Sequence, residues 1–180
     1  MKQTKLYAMV SAAMLAALTC ITTLVLVLPI PFSMGGYINL GDCLVLLGGW
    51  LLGPVYGAAA GAIGSLLADI FTGYLAYAPV TLVVKGLMAA LASLLLHWGS
   101  KAFHERLLPA RLISALLCEL FMVLGYFLYE FLLLGNGVAA AASVPWNLLQ
   151  GGISVLLAVP LGQRLAKTHL ARKWEQPDQD

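Results

Sequence analysis

The sequence predicts an all-α integral membrane protein with six transmembrane helices and with both its N and C termini on the cytoplasmic side. Three observations predict this fold class: the composition, a series of apolar segments, and the placement of the basic residues. Of the 180 residues, 61% are hydrophobic and 10% are charged, whereas a soluble domain has about 45–50% apolar and about 25% charged residues. The composition therefore excludes a water-soluble enzyme, a nucleic-acid-binding domain and a disordered chain.

Six apolar segments account for most of the chain. The first stops at Pro29-Ile30-Pro31, because proline blocks the continuation of a helix. Gly53-Pro54 marks a tight turn between the second and third segments, and the second is too short to cross a bilayer alone, since a crossing takes roughly 20 residues. Turns at 73–79 and at Gly135-Asn136-Gly137 separate the later segments. The six segments are 6–28, 40–52, 55–72, 80–98, 112–134 and 144–165.

The basic residues predict the orientation in the membrane. With six crossings, the N-terminus, the connection between the fourth and fifth helices, and the C-terminus all lie on one side. Nine of the ten basic residues lie there, and because cytoplasmic segments carry an excess of Lys and Arg, this side is predicted to be the cytoplasm. The nine residues are Lys2, Lys5, Lys101, Arg106, Arg111, Arg164, Lys167, Arg172 and Lys173.

The chain is predicted to form a single six-helix transmembrane domain at 1–170, followed by a charged cytoplasmic tail at 171–180. Six crossings leave almost no room for an extramembrane domain, and no loop is long enough to house a nucleotide site, so a partner must supply any chemical energy. We expect no cofactor and no metal site, because Cys20, Cys43 and Cys118 are scattered and form no C-x-x-C motif.

Seven polar side chains from five segments are predicted to gather in the outer third of the helix bundle. A charged residue at the centre of a membrane helix costs about 2.5–3.5 kcal/mol on the insertion scale, so such residues indicate a functional site. The structural alternative is an ion pair of Lys85 with Asp69 or Glu130, together with amides that hold the helices together. The seven residues are Asn39, Asp42, Asp69, Lys85, Glu130, Asn147 and Gln150.

Three tyrosines complete the predicted binding site: Tyr37 and Tyr77 in the outer loops, and Tyr126 on the fifth helix. Flat apolar walls with a few polar contacts are typical of small-molecule sites, and they favour a small, polar, heteroaromatic ligand. Glu119 lies deeper, on the same helix face as Glu130. Its predicted role is either gating or pairing with a basic residue on the cytoplasmic side.

The first helix carries a stripe of small side chains. Ala8, Ala12 and Ala16 recur every four residues, with Ala13 and Ala17 beside them. In lipid, small residues at this spacing let another helix approach closely. The stripe is therefore either an internal packing surface or a docking surface for a partner subunit. Docking is favoured, because a transport bundle of this size has no motor of its own.

Five motifs resemble those of a known family. They are Gly36-Tyr37-Ile38-Asn39-Leu40-Gly41-Asp42, Leu52-Gly53-Pro54, Ala68-Asp69, the run from Tyr77-Ala78-Pro79 to Lys85-Gly86, and Pro145-Trp146-Asn147-Leu148-Leu149-Gln150-Gly151. Across about residues 5–165, the sequence resembles the substrate-binding S components of energy-coupling factor (ECF) vitamin transporters. The most similar branch is the riboflavin type, which also includes carriers for pyridoxine-like and hydroxymethylpyrimidine-like compounds.

The resemblance implies a protein of the bacterial cytoplasmic membrane that captures a water-soluble vitamin with high affinity. It implies a capping loop at 35–42, between helices 1 and 2, which closes over the site. It also implies that Ala8, Ala12 and Ala16 dock on a transmembrane coupling subunit driven by two ATPase subunits, so that this chain is not itself an enzyme. The vitamin is expected to be pyridoxine- or hydroxymethylpyrimidine-like, then riboflavin, then pantothenate. Nucleic acid is not an expected partner.

An intramembrane enzyme and a structural membrane protein without a ligand are the alternative interpretations. The sequence has no G-x-S-x-G nucleophile motif and no H-E-x-x-H metal motif. The three histidines, His97, His104 and His169, are predicted to lie on the cytoplasmic side, away from the polar cluster. Tight binding of a vitamin by the isolated protein would distinguish the transporter subunit from both alternatives.

Overall fold

The computed structural model describes residues 2–29, 37–104 and 106–166, and these residues form five long helices. Each helix is long and apolar enough to cross a membrane. Many large apolar side chains on the outer faces are exposed, as expected for surfaces in contact with lipid. The helices are α1 (Lys2–Val25), α2 (Gly41–Thr72), α3 (Ala78–Ala102), α4 (Leu107–Leu128) and α5 (Val144–Leu165).

Helix α2 is broken at Gly53, whose backbone angles (φ 79°, ψ −179°) are not helical. Across the break, a Cβ added to Gly57 would lie 2.6 Å from the Gly48 carbonyl oxygen, and one added to Gly61 would lie 3.1 Å from Val45 Cγ1. Such contacts require the arms 41–52 and 54–72 to run antiparallel. The predicted second and third helices are thus the two arms of α2. Glycine at position 53 permits the turn, since its φ is unfavourable for other residues.

Helix α1 packs on α2 through its stripe of small residues. Ala8, Ala12 and Ala16 are all buried, and the latter two cluster with Ala60. A Cβ added to Gly64 would lie only 2.5 Å from the Ala16 carbonyl oxygen, so the two backbones are in close contact. Small residues on both helices make this approach possible.

Short elements lie between the long helices. Strands β1 (Leu28–Pro29) and β2 (Tyr37–Ile38) pair antiparallel, with Leu28 opposite Ile38. A π-helical turn, Tyr129–Leu133, continues α4, and a 3₁₀ helix, Gly137–Ala142, precedes α5. None of these elements was predicted, because two-residue strands and single helical turns are too short to leave a periodic pattern in the sequence.

The helix bounds differ modestly from the predicted segments. Helix α5 has the predicted bounds, whereas α1 ends at Val25 because the chain enters strand β1 soon after. Helix α4 begins at Leu107 rather than at 112, with Pro109 in its first turn, where a missing N–H leaves no hydrogen bond unmade. Helix α3 is longer at both ends than the predicted 80–98.

The apolar core lies between the first arm of α2 and helices α3, α4 and α5, where Leu46, Met88 and Met122 are fully buried. Because α2 turns back on itself, α2 both begins and ends at one end of the bundle. Helices α1 and α4 end there, and α3 and α5 begin there. The polar residues discussed next lie at this end.

Candidate functional site

A small cavity of about 30 Å³, partly open to solvent, lies where α2 begins and ends. All of the predicted binding residues except Asp42 line this cavity. Its lining consists of Thr23, Tyr37, Asn39, Ser65, Asp69, Tyr77, Thr81, Lys85, Tyr126, Glu130, Asn147 and Gln150.

Asp42 is fully buried beside the cavity and forms an ion pair with Lys85. Gln150 joins this pair to the loop before α2: its Nε2 donates to Asp42 Oδ2 at 2.6 Å, and its Oε1 accepts from the Asn39 N–H at 2.8 Å. Lys85 thus forms its ion pair with Asp42 and not with Asp69 or Glu130, the acidic partners that the structural alternative suggested.

Tyr37 covers one side of the cavity. Its hydroxyl donates to Asp69 Oδ1 at 2.5 Å, and its ring centroid lies 4.5 Å from that of Tyr74. Burial and the neighbouring Asp69 carboxylate raise the pKa of Tyr37 above its usual value, so the hydroxyl remains protonated and keeps donating. Tyr37 and Asn39 of the predicted capping loop line the cavity. Gly35 and Gly36, which begin the predicted capping loop, lie outside the described residues.

Two further hydroxyl contacts lie in the lining of the cavity. Tyr77 donates to Glu130 Oε1 at 3.2 Å, and burial together with the Glu130 charge raises the pKa of Tyr77 above its usual value. The hydroxyls of Thr81 and Tyr126 are 3.1 Å apart, and the Tyr126 ring centroid is 5.3 Å from Lys85 Nζ. Glu130 lies in the π-helical turn, a type of irregularity that is frequent at functional sites.

Three lining residues were not predicted: Thr23, Ser65 and Thr81. Ser65 precedes Asp69 by one helical turn, and Thr81 precedes Lys85 by one turn, so each pair shares a helix face. That spacing could have identified both hydroxyls. No charged residue lies one helical turn from Thr23 on α1. Its place in the site depends on how α1 packs against the other helices.

Two polar atoms of the lining residues have no hydrogen-bond partner within the part of the chain that the structure describes. They are Thr23 Oγ1 and Asp69 Oδ2, on residues that are 2% and 1% exposed. A buried polar atom without a partner is unfavourable by about 1–3 kcal/mol. A bound ligand could therefore gain by supplying the missing hydrogen bonds.

Glu119 is buried near the ion pair but does not line the cavity. It interacts electrostatically with Asp42 and Lys85. A Cβ added to Gly151 would lie 3.1 Å from Glu119 Oε2, so the carboxylate packs against the α5 backbone. Within the described ranges, no three His, Cys, Asp or Glu side chains lie close enough together to hold a metal ion.

The predicted docking residues lie apart from the cavity. Ala8, Ala12 and Ala16 are buried within this chain, and Ala12 and Ala16 pack with Ala60 of α2. The two alanines that flank this stripe, Ala13 and Ala17, are exposed on the outer surface of α1.

Comparisons with known proteins give matches over most of the chain. Residues 3–167 match the sequence model of a family described as "ECF-type riboflavin transporter, S component". A Pyrococcus woesei protein, described as "Uncharacterized protein in gap 3'region", is 34% identical over 151 residues, which are 79% of this chain and 95% of that protein.

A solved structure described as "Structure and mechanism of the S component of a bacterial ECF transporter" aligns with a TM-score of 0.68. The alignment covers 90% of this chain and 96% of that chain, at 22% identity. At this level of identity, the similarity shows that the two chains share a fold.

Proposed function

This chain belongs to the family of ECF-type riboflavin transporter S components, and from that premise we propose that it captures one small water-soluble vitamin or vitamin precursor for uptake. It is an integral membrane protein and the substrate-binding subunit of its transporter. The proposed binding site is the cavity at the end of the bundle. The observation that carries the proposal is that polar and aromatic side chains from every long helix meet in this one cavity.

The proposed topology has six membrane segments, with the arms of α2 counted separately. Both ends of the described chain then lie opposite the cavity. The described basic residues Lys5, Lys101 and Arg164 lie at that same end. Because cytoplasmic segments are enriched in Lys and Arg, we place that end in the cytoplasm and the cavity at the outer face of the cell membrane.

The proposed partners are a transmembrane coupling subunit and two ATPase subunits, since the described residues form mostly membrane-spanning helices and leave no room for a nucleotide site. We place the docking surface on α1. Its exposed residues Ala13 and Ala17 are the alanines that another helix can reach, whereas Ala8, Ala12 and Ala16 are already covered by α2.

The ligand is expected to be a pyridoxine- or hydroxymethylpyrimidine-like ring, with riboflavin next and pantothenate after it. Tyr37, Tyr77 and Tyr126 offer aromatic contacts to such a ring. The hydroxyls and amides around them match the few polar groups of a small heteroaromatic compound.

Mass identification of the molecule that copurifies with the protein tests this function. We expect a vitamin or vitamin precursor to be released on denaturation. Thr81→Phe should abolish the copurifying molecule, because the larger side chain fills the cavity. Ser100→Phe, near the other end of the same helix, serves as the control and should retain it. A chemically converted product would instead indicate an enzyme, and no ligand from any vitamin panel would contradict the proposal.

A further inference from the structure

The charges around the cavity are unbalanced. Lys85 is the only basic residue that lines it within the described part of the chain, and its charge is already matched by Asp42. Two more carboxyl groups, those of Asp69 and Glu130, line the same cavity, and neither forms a close ion pair with a described residue. Both residues are nearly inaccessible, at 1% and 3% exposed. Burying a carboxylate without a counter-charge is costly.

Asp69 has an unused acceptor. Its Oδ1 accepts the Tyr37 hydroxyl, while its Oδ2 has no partner among the described residues. Thr23 Oγ1, also in the lining, is similarly unpartnered. Glu130 Oε1 already accepts a hydrogen bond from the Tyr77 hydroxyl at 3.2 Å, which is longer than the 2.5 Å bond from Tyr37 to Asp69. The atom best placed to receive a hydrogen bond from a ligand is therefore a carboxylate oxygen.

The surroundings also fit a cation. The Tyr37, Tyr77 and Tyr126 rings line the cavity, and the faces of aromatic rings attract positive charge. Within the described residues, no group of three His, Cys, Asp or Glu side chains is placed to hold a metal ion. A positive charge carried by an organic ring compound satisfies both the carboxylates and the rings.

Building on the proposed function, we infer that the cavity selects a ligand with a net positive charge, namely a protonated amine on a small heteroaromatic compound. Asp69 is its principal counter-ion, and Glu130 is the second. The same charge balance selects against phosphorylated and carboxylated forms of such a compound.

Three pyridine compounds that differ at one ring substituent test this inference: pyridoxamine (cationic side chain), pyridoxine (neutral) and 4-pyridoxate (anionic). Binding to the purified full chain is measured by calorimetry near pH 7, alongside thiamine, riboflavin and pantothenate. We expect pyridoxamine to bind about ten- to a hundredfold more tightly than pyridoxine, as a hydrogen bond to a charged group predicts. We expect 4-pyridoxate to bind most weakly.

Asp69→Asn keeps the shape and the acceptor for Tyr37 but removes the charge. It should reduce the preference for pyridoxamine over pyridoxine to within about threefold, while pyridoxine binding persists and shows that the variant is folded. Glu119→Gln is the matched control, because it neutralises a buried carboxyl group that does not line the cavity. It should leave the preference unchanged.

The outcomes separate this inference from the proposed function. Equal binding of pyridoxamine and pyridoxine, or a preference retained in Asp69→Asn, would overturn the inference. Binding of riboflavin or pantothenate with no binding of any cationic compound would also overturn it, while leaving the transport function intact. No binding of any compound in the panel would contradict both.

Discussion

At the scale of single residues, the most constrained contact is the ion pair between Lys85 and Asp42. Both side chains are almost fully buried, and Gln150 donates a further hydrogen bond to the aspartate. Such a pair gives little net stability over apolar residues, yet losing one partner is costly because the other charge stays buried. The pair therefore holds α2 and α3 together only while both partners are present.

Lys85→Met should destabilise the protein by about 3–5 kcal/mol, because Asp42 would remain charged and unpaired. Adding Asp42→Asn should recover most of that loss, since no charge is then left without a partner. Thermal unfolding in detergent measures both variants, with Lys101→Met on the exposed end of α3 as the control. A double variant as unstable as the single one would show that the charge itself is not what matters.

Tyr37 is the residue that ties the capping loop to the cavity. Its hydroxyl bond to Asp69 should slow ligand release. We expect Tyr37→Phe to raise the ligand dissociation rate by about tenfold or more, because it removes a hydrogen bond to a charged group. Stopped-flow fluorescence measures this rate.

Tyr74→Phe is the matched control for Tyr37→Phe. It removes a hydroxyl from the other ring of the same tilted aromatic pair while keeping the contact between the rings. If both variants released the ligand at the same rate, the loop would not be held by the contact between Tyr37 and Asp69.

At the scale of the helices, glycines determine how closely α2 approaches its neighbours. A Cβ added to Gly49 would lie 2.2 Å from the Ala89 carbonyl oxygen on α3, whereas one added to Gly152 on α5 would meet nothing within 4 Å. Both glycines lie within helices. Replacing each one with alanine therefore separates the effect of close packing on stability from the effect of helix propensity.

Gly49→Ala should lower stability by about 1–3 kcal/mol, because α3 must move to make room. Gly152→Ala should be neutral or stabilising by up to about 1 kcal/mol, since alanine favours a helix more than glycine does. Thermal unfolding of the two variants under identical detergent conditions provides the comparison. Equal loss of stability in both would mean that the close contact between α2 and α3 is not needed.

At the scale of the whole molecule, ligand binding and energy coupling are proposed to use separate surfaces. The cavity lies at one end of the bundle, whereas Ala13 and Ala17 are exposed on the side of α1. Ala12 and Ala16 lie on the buried side of the same helix. The pair Ala13 and Ala17 thus lies on the outer face of α1, and the pair Ala12 and Ala16 lies on its inner face with the same spacing.

Replacing Ala13 and Ala17 with Leu should abolish vitamin uptake by cells but leave binding by the purified protein near its original value. Replacing Ala12 and Ala16 with Leu should instead destabilise the protein, at about 1–3 kcal/mol for each overpacked site. Copurification with the coupling subunit and calorimetry on the isolated chain measure the two effects. Normal uptake by the Ala13 and Ala17 variant would place the docking surface on another helix.

Much of this architecture follows from the sequence alone. Hydrophobicity and segment length predict helices that cross a membrane, because lipid offers no partners for unpaired backbone groups. Alternating helix directions then bring the polar residues to one end, which is why residues as distant in sequence as Asn39 and Gln150 were predicted together. The family was also recognisable from its motifs, such as the run that ends at Asp42.

Tertiary structure decided which groups pair and which faces are covered. Lys85 could have reached any of several acidic residues from its place in the sequence, and only the packing of α2 on α3 selects Asp42. The sequence does not say which helix the alanine stripe packs against within the chain, and the close approach of Ala16 to Gly64 identifies it as α2. Both results have the same physical reason. The hydropathy and the periodicity of a helix depend on its own residues, whereas the partners and the burial of its side chains depend on where the neighbouring helices lie.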